Sequence, residues 1–380
     1  MTPGARISAA IEVLDRILAG QPAEQALLRW SRASRFAGSG DRAAVRDLVF
    51  DALRCRTSHA ALGGALTGRG LMIGGLIAAG RDPGTLFTGE GHAPPPLAPD
   101  EGNGSADGRS DIPDWIRPLW DRSLGDQAAA VAQAMRHRAP VWLRVNLVKA
   151  TPAEAVAVLG DDSIAAVPDP RLPTALRVME NERRLTQSHA YRNGLVELQD
   201  LSPQLACAAL PVGPGMRVLD YCAGGGGKSL AIARQADGLI LVAHDADPAR
   251  MRDLPRRAER AGVKVHIDSS PSGSFDLAIA DVPCSGSGTW RRAPDAKWRL
   301  TDADLCALLS VQAAILRKAA ARVRPGGHLA YMTCSVLDTE NDGQVQAFLG
   351  DDPGFSQTAR HLWTPLDGGD GFFLSLLVRR

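Results

Sequence analysis

The sequence predicts an α/β fold with a mostly parallel sheet in its C-terminal half, preceded by a small α+β subdomain and an all-helical segment. Three observations lead to this prediction. Apolar stretches alternate with helical ones from Met216 onward, a glycine cluster directly follows the first of them, and a stretch dense in Pro and Gly separates the N-terminal region. Strands that are apolar throughout and joined by helices are typical of parallel sheets covered on both faces.

The N-terminal segment, residues 1–80, is predicted to be entirely helical. Apolar side chains recur there at helical spacing, as in Ile7, Ile11, Leu14 and Leu18. This segment carries ten Arg, no Lys and six Asp plus Glu, a net charge of +4. A basic helical module is compatible with RNA contact, and also with an ordinary solvated helical surface.

Residues 81–111 are predicted to form a flexible linker. The stretch includes GEGHAPPPLAPDEGNGSADG, which has no hydrophobic periodicity and is dense in Pro and Gly. With Ile112 included, it carries two Arg and six acidic residues, a net charge of −4. The linker would therefore be an acidic tether between two folding units.

Two further regions follow the linker. Residues 112–193 are predicted to form a small α+β subdomain that contacts RNA, because VWLRVNL and TALRVM alternate like strands and PAEAVAVLG has a helical pattern. Residues 194–380 are predicted to form the catalytic α/β domain. Its strands would be MRVLDYCA, LILVAH, VKVHI, FDLAIADV and HLAYMTCS, with FFLSLLV as the last strand.

Length and composition narrow the class of protein. A chain of 380 residues with 45% hydrophobic content can form two or three domains with sizeable cores. No run of about 18 apolar residues is present, and charges interrupt the apolar pattern at the start of the chain, so neither a membrane span nor a signal peptide is predicted. The six cysteines are scattered, which favours neither a disulfide framework nor a metal site. We therefore expect a cytoplasmic protein without a resident metal.

The glycine cluster CAGGGGKS lies at the first strand-to-helix turn, where α/β sheets bind nucleotides and related cofactors. A nucleoside triphosphate would need GxxxxGK[ST], but Cys222 stands where the first Gly is required. A dinucleotide would need GxGxxG, which Ser229 does not complete. S-adenosylmethionine fits better, because its ribose needs an acid at the end of the second strand and Asp245 lies 21 residues after Gly224. Asp268, after the third strand, could serve the adenine.

Two cysteines follow the fourth and fifth strands of the predicted sheet. Cys284 lies in DVPCSGSGT and Cys334 in YMTCS. Because the carboxyl ends of parallel strands meet at one edge of a sheet, both should lie on the same edge as the glycine turn. A cysteine at such an edge is a candidate nucleophile, whereas a lone cysteine is usually a small buried apolar residue.

These motifs together resemble those of the RsmB/NSUN family of RNA 5-methylcytosine methyltransferases. The resemblance includes DVPCSGSGTWRRAPDAKW, YMTCS, CAGGGGKS and GLVELQDLSPQ, and covers residues 112–380. Residues 6–59 resemble the NusB-like helical domain of bacterial RsmB proteins. The chain departs from the family's usual AxPGGK loop at Gly225, where proline is usual; glycine can adopt the turn that proline would fix, at an entropic cost.

The resemblance implies a class I, Rossmann-like S-adenosylmethionine-dependent methyltransferase that acts on cytosine carbon 5. It assigns nucleophilic attack to Cys334 and product release, as a base, to Cys284. Asp281 would hydrogen-bond the polar edge of the cytosine, and Lys228 would lie near it on the cofactor side. The residues expected to hold the cofactor are Cys222, Ala223, Gly224, Gly225, Gly226, Gly227, Lys228, Asp245, Asp268 and Asp281.

The substrate is predicted to be RNA, with small-subunit ribosomal RNA favoured by the NusB-like segment and transfer RNA left open. We expect a monomer. Two rival classes remain: a DNA cytosine methyltransferase, which would lack the second cysteine in a TCS motif, and a non-catalytic RNA-binding assembly protein, which should have lost the catalytic residues.

A cluster of cations and aromatic residues, Trp290-Arg291-Arg292 with Lys297-Trp298-Arg299, follows Cys284. Aromatic and guanidinium planes of this kind stack on unpaired RNA bases, although core packing of both tryptophans is an equally good interpretation. Lys297 is predicted to be a surface lysine with its apolar stem buried.

Overall fold

The computed structural model describes residues 1–233 and 235–380. The chain divides into two compact units. The first consists of Met1–Pro118, Gln127–Arg138 and Trp290–Leu300, and the second of Leu119–Asp126, Ala139–Thr289 and Thr301–Arg380.

The α-helices are α1 (Pro3–Leu18), α2 (Ala23–Ala33), α3 (Ser39–Arg54), α4 (Arg56–Gly63), α5 (Gly68–Ala78), α6 (Arg117–Leu124), α7 (Ala128–Ala134), α8 (Pro152–Asp161), α9 (His189–Arg192), α10 (Leu201–Ala208), α11 (Gly227–Ile232), α12 (Leu254–Ala261), α13 (Pro294–Arg299), α14 (Asp302–Ala320) and α15 (Asp342–Asp351). The strands are β1 (Val141–Val145), β2 (Ala166–Asp169), β3 (Leu172–Val178), β4 (Val196–Leu198), β5 (Arg217–Asp220), β6 (Ile240–Ala243), β7 (His266–Ile267), β8 (Phe275–Asp281), β9 (Val323–Thr333), β10 (Phe355–Trp363) and β11 (Phe372–Arg379).

The first unit is helical, as predicted for its N-terminal segment. Helix α1 begins after Thr2, whose hydroxyl accepts a hydrogen bond from the backbone N–H of Ala5, and Pro3 occupies the first helical position. The apolar faces of α1, α3 and α5 form its core, in which Val13, Val49 and Leu71 are fully buried. No single helix in the described part of the chain is long and apolar enough to cross a membrane; the bent pair α4 and α5 passes that test jointly, by length and composition alone.

Residues 81–111 are folded against these helices, so the prediction of a flexible linker is wrong. Phe87 is buried in the helical core. The Arg69 guanidinium donates hydrogen bonds to the Glu101 carboxylate at 2.6 and 2.7 Å and to the carbonyl oxygen of Pro96 at 3.0 Å. Irregular chain can be fixed by one apolar anchor and by hydrogen bonds to its backbone carbonyls, and neither leaves a periodic pattern in the sequence.

The small α+β subdomain lies in the second unit and has an antiparallel sheet of order β2-β3-β1-β4. Its extent differs from the predicted 112–193. Residues 112–118 and 127–138 group with the helical unit. Strand β4, which pairs with β1, extends the sheet to Leu198. Sequence periodicity identified β1 and β3, whereas β2, β4 and the boundary of the sheet depend on pairing between segments.

The larger sheet has the order β10-β11-β9-β8-β5-β6-β7. Strands β5 to β9 pair in parallel, whereas β11 is antiparallel to both β9 and β10. The predicted mostly parallel α/β sheet is confirmed, including the last strand. The chain adds β6 and β7 on one side of β5 and then crosses to the other side to add β8. The order in which strands are added therefore reverses between β5 and β8. Open α/β sheets bind ligands at such a switch point, outside the carboxyl ends of the strands.

Candidate active site

The glycine turn connects β5 to α11 at the switch point of the sheet. Gly224 and Gly226 have φ values of 48° and 78°, a left-handed conformation that disfavours other residues. A Cβ atom on Gly226 would also lie 2.1 Å from Cδ1 of Leu254. Position 226 therefore requires glycine, because of both its backbone conformation and the lack of space for a side chain.

Gly225, which replaces the usual proline of the related loop, accepts a hydrogen bond on its carbonyl oxygen from the Arg257 guanidinium. Arg257 lies on α12 and also forms an ion pair with Glu197 at 3.5 Å. The Arg257 side chain therefore fixes the turn by a hydrogen bond at Gly225, where a proline ring would fix the backbone φ angle.

Asp245, two residues after β6, is joined directly to the glycine turn. Its carboxylate is almost fully buried, accepts a hydrogen bond from the backbone N–H of Gly224 at 3.0 Å, and pairs with the Arg250 guanidinium at 3.2 Å. Asp268 directly follows β7 and is half-buried; its carboxylate accepts a hydrogen bond from the backbone N–H of Ser270 at 2.9 Å. Asp245 thus lies at the turn, whereas Asp268 faces its own loop.

Asp220, the last residue of β5, is a site residue that sequence analysis did not single out. One carboxylate oxygen accepts hydrogen bonds from the backbone N–H and the hydroxyl of Ser229, at 3.2 and 2.6 Å, while the buried Oδ1 has no partner. Burial raises the pKa of this carboxyl to about 6. An acid at the end of the first strand, directly before the glycine turn, was the sequence signal that could have identified it.

These features fit S-adenosylmethionine. The cofactor carries a sulfonium and an ammonium group, which the buried Asp220 carboxylate with its unpartnered oxygen can attract. Its ribose hydroxyls can donate hydrogen bonds to the Asp245 carboxylate. The glycine turn leaves space for close approach of the ligand to the backbone. Cys222 and Ala223 line the same turn; burial raises the pKa of the Cys222 thiol to about 12, so it remains protonated.

Lys228 and Asp281 form an ion pair between the first turn of α11 and the end of β8. Burial disfavours the charged form of Lys228, but the Asp281 carboxylate outweighs this effect, so the pKa of the lysine is raised above its ordinary value. The ammonium also lies 5.2 Å from the ring centre of Phe372. The pair places a fixed cation and a carboxylate between the glycine turn and the cysteine loops.

Cys284 and Cys334 follow the adjacent parallel strands β8 and β9, and their sulfur atoms are 3.4 Å apart. The two loops are joined by the backbone: the N–H of Val282 donates to the carbonyl of Met332, and the N–H of Gly288 to the carbonyl of Cys334, both at 3.0 Å. The hydrogen bond to Cys334, followed by burial, raises the pKa of Cys284 well above its usual value. The raised pKa favours the protonated form of the Cys284 thiol.

The aromatic and cationic residues after Cys284 belong to the helical unit. Trp290 and Lys297 are each 1% exposed. The Lys297 ammonium donates to the carbonyl of Arg54 at 2.8 Å, and the Trp298 indole N–H donates to the carbonyl of Leu53 at 2.7 Å. The prediction of a surface lysine is wrong, and Trp290 is a core residue without an exposed face for base stacking. The hydrophobic environment that buries these side chains comes from helices far away in sequence.

Within the described residues, no group of three or more His, Cys, Asp or Glu side chains is arranged to hold a metal ion.

The sheet order, the glycine turn after its first strand and the acid after its second strand are those of a Rossmann-like fold, and the matching family model assigns it to the S-adenosylmethionine-dependent methyltransferases. Two family models match the chain: the 16S rRNA methyltransferase RsmB/F model at residues 207–377, and the RsmF/B-like ferredoxin-like domain at residues 112–183. The chain belongs to the RsmB/F family and is an S-adenosylmethionine-dependent RNA methyltransferase.

Individual relatives agree with this membership. The ribosomal RNA small subunit methyltransferase B of Xylella fastidiosa is 35% identical over 291 residues, which cover 70% of this chain and 67% of that protein. The crystal structure of PH0851 has a TM-score of 0.76 at 22% identity and covers 99% of both chains. NSun6 from Pyrococcus horikoshii, solved with SFG, has a TM-score of 0.63 at 17% identity and covers 70% of this chain and 98% of its own. At these identities, the two structures show a shared fold.

We predict that Asp245→Asn weakens S-adenosylmethionine binding by about 10- to 100-fold, since a hydrogen bond to a charged group contributes roughly 1.5–3 kcal/mol. Isothermal titration calorimetry would measure the dissociation constant. Asp276→Asn is the matched control, because Asp276 lies near the opposite end of β8 and pairs with Arg324. Equal affinity of the Asp245→Asn variant and the wild type would show that this carboxylate does not hold the ribose.

We further predict that cofactor affinity rises with pH around the pKa of Asp220, which is about 6. Below that pH the carboxyl is neutral, and above it the carboxylate attracts the cationic cofactor, so binding should be about tenfold weaker near pH 5 than near pH 7. Calorimetric titrations across this range would measure the effect. Asp220→Asn should remove most of the pH dependence; an unchanged profile in that variant would assign it to another group.

Proposed function

We propose that this protein methylates carbon 5 of a cytosine in 16S ribosomal RNA, through a covalent bond between Cys334 and carbon 6 of the base. The observation that carries the proposal is the pair of thiols 3.4 Å apart at the ends of β8 and β9, next to the strand end that bears the Lys228–Asp281 ion pair. Small-subunit RNA is favoured because the relative from Xylella fastidiosa is named for that substrate.

The chemistry explains why this site would need two sulfur atoms. Carbon 5 of cytosine is a poor nucleophile, so the Cys334 thiolate first adds to carbon 6, and the electrons of the 5,6 double bond make carbon 5 nucleophilic. S-adenosylmethionine, when bound, supplies the methyl group. The protein must then remove the proton from carbon 5, whose electrons re-form the double bond and expel the Cys334 thiolate.

Asp281 is proposed to hydrogen-bond the polar edge of the cytosine. Lys228, paired with it, would keep that carboxylate oriented and balance its charge while the ring becomes electron-rich. The side chain of Lys228 also spans the distance from the glycine turn to the end of β8, which supports a role on the cofactor side of the base.

Cys284 is proposed to act as the base of the release step. Its pKa is raised first by the hydrogen bond to Cys334 and then by burial. Once the Cys334 sulfur is bound to carbon 6 it is neutral and only a weak acceptor, so the first of these effects disappears and Cys284 loses its proton more readily. The same thiol would therefore be inert during attack and available during release.

We propose that the helical unit and the small antiparallel subdomain contact the RNA, and that the protein acts as a cytoplasmic monomer. The target cytosine must be unpaired or flipped out of a helix, because a pocket at a sheet edge does not admit a paired base.

Mass spectrometry of 5-methylcytidine tests the proposal. Purified protein and S-adenosylmethionine are incubated separately with unmodified 16S ribosomal RNA and unmodified transfer RNA. New 5-methylcytidine in the ribosomal RNA alone is the expected result, and its appearance in transfer RNA alone would reassign the substrate. Absence from both, with cofactor binding measured on the same preparation, would favour a non-catalytic assembly role.

A further inference from the structure

Glu340 is a fully buried carboxylate that binds the residue following each of the two cysteines. It ends the short turn Asp338–Glu340, after β9 and before α15. Its Oε1 accepts a hydrogen bond from the backbone N–H of Ser285 at 2.8 Å, and its Oε2 accepts from the hydroxyls of Ser285 and Ser335, both at 2.5 Å. Ser285 follows Cys284 and Ser335 follows Cys334, so one carboxylate spans both cysteine loops.

Further hydrogen bonds fix this carboxylate and the orientation of the hydroxyls around it. The Gln312 amide, from α14, donates to Glu340 at 2.9 Å. The Ser335 hydroxyl directs its hydrogen to Glu340 and lies 2.8 Å from the hydroxyl of Ser287, which must therefore donate to Ser335. Ser287 in turn accepts from the backbone N–H of Val336 at 3.0 Å. Each of these two hydroxyls donates to one partner and accepts from another, so all hydrogen bonds of the network can form at the same time.

We propose that Glu340 is a positioning residue that holds the two cysteine loops at their observed separation and makes their two thiols chemically different. This inference deepens the proposed two-cysteine reaction and rests on it for its catalytic meaning. Of the roughly four acceptor sites on a carboxylate, four are used by donors of the network, which leaves Glu340 no free site for a substrate. It acts through the cysteines.

The charge of Glu340 provides the chemical difference. The ionisable groups that bear on Cys284 are Cys334 after β9, Glu340, and Tyr331 on β9, whose hydroxyl donates to the carbonyl of Glu340 at 2.7 Å. The hydrogen bond to Cys334, burial and the charge of Cys334 are the larger causes of the raised pKa of Cys284, and the negative charge of Glu340 adds to them. That contribution persists when Cys334 is bound to the cytosine, so Cys284, once ionised, would be a stronger base for release.

The charge is tested by thiol alkylation, which needs neither RNA nor cofactor. In a Cys334→Ala background, the rate at which iodoacetamide modifies Cys284 is followed against pH by peptide mass spectrometry. Adding Glu340→Gln keeps the shape of the side chain and removes its charge, and should move the alkylation profile of Cys284 to lower pH by roughly one unit. Ser335→Ala in the same background keeps the charge and should leave the profile in place. An unmoved profile in the folded Glu340→Gln variant would overturn the electrostatic role.

The tether is tested with diamide, which accepts the two electrons and two protons of a pair of thiols and converts them to a disulfide. Wild-type Cys284 and Cys334 should form this disulfide readily, whereas Glu340→Ala should slow its formation, and Glu340→Gln, which can still bond both loops, should restore much of the rate. Equal rates in all three proteins would overturn the positioning role. If both thiol tests succeed while no 5-methylcytidine is found in any RNA, the proposed reaction fails and the role of Glu340 at the thiols stands.

Discussion

Cys334→Ala is expected to abolish methyl transfer, with a loss on the order of a thousandfold or more, because without the sulfur no covalent route activates carbon 5. The structure gives a reason to expect this from Cys334 and not from its neighbour. The hydrogen bond between the two thiols and burial raise the pKa of Cys284, which disfavours this residue as the attacking thiolate. The measurement is incorporation of labelled methyl groups from S-adenosylmethionine into the RNA that the wild type modifies.

Two controls separate the loss of the nucleophile from damage to the protein. Cys334→Ala should bind S-adenosylmethionine with wild-type affinity, because Cys334 lies outside the glycine turn. Cys306→Ala removes an exposed cysteine of α14 and should keep full activity. Methylation by Cys334→Ala at more than a few per cent of the wild-type rate would contradict nucleophilic attack by this residue.

Cys284→Ala is expected to accumulate a covalent protein–RNA adduct. Attack by Cys334 and methyl transfer can still take place, but removal of the proton from carbon 5 loses its base, and a positioned base typically contributes about 10²- to 10⁴-fold to the rate. Release should therefore become slow compared with adduct formation. The adduct would be measured as a protein–RNA band that survives denaturing electrophoresis and depends on S-adenosylmethionine.

The double variant Cys284→Ala with Cys334→Ala is the control for this experiment, since it has no sulfur with which to form the adduct. Its band should be absent. A trapped adduct in Cys334→Ala alone would reverse the roles of the two cysteines, because the sulfur bound to carbon 6 would then be that of Cys284.

Most of the catalytic sheet could be predicted from the sequence because its signals are local. Apolar stretches of strand length alternate with helical ones, the glycine turn follows the first strand, and each candidate cysteine comes after a strand. Parallel strands place their carboxyl ends on one edge, so these motifs were expected to meet without knowledge of the strand order. Strand β10 was not predicted, because the stretch Phe355–Trp363 is polar and becomes a strand through its pairing with β11.

Properties that depend on distant segments could not be predicted. Residues 81–111 have the composition of a linker, yet Phe87 and the contacts of Arg69 hold them against the helices. Lys297 has the sequence context of a surface cation, yet it is buried and donates to the carbonyl of Arg54. Local composition reports how a segment would behave alone, whereas burial is decided by what packs on it.

The sequence by itself determined the class of fold, the glycine turn after the first strand of the catalytic sheet and the two cysteines at strand ends, because each of these follows from residue type and spacing along the chain. Only the tertiary structure decided how these parts act together. It set the distance of 3.4 Å between the two sulfur atoms, paired Lys228 with Asp281, and placed Glu340 within hydrogen-bond distance of both cysteine loops. Distances and pKa values depend on groups that folding brings together in space, so they cannot be read from residue types and spacing along the chain.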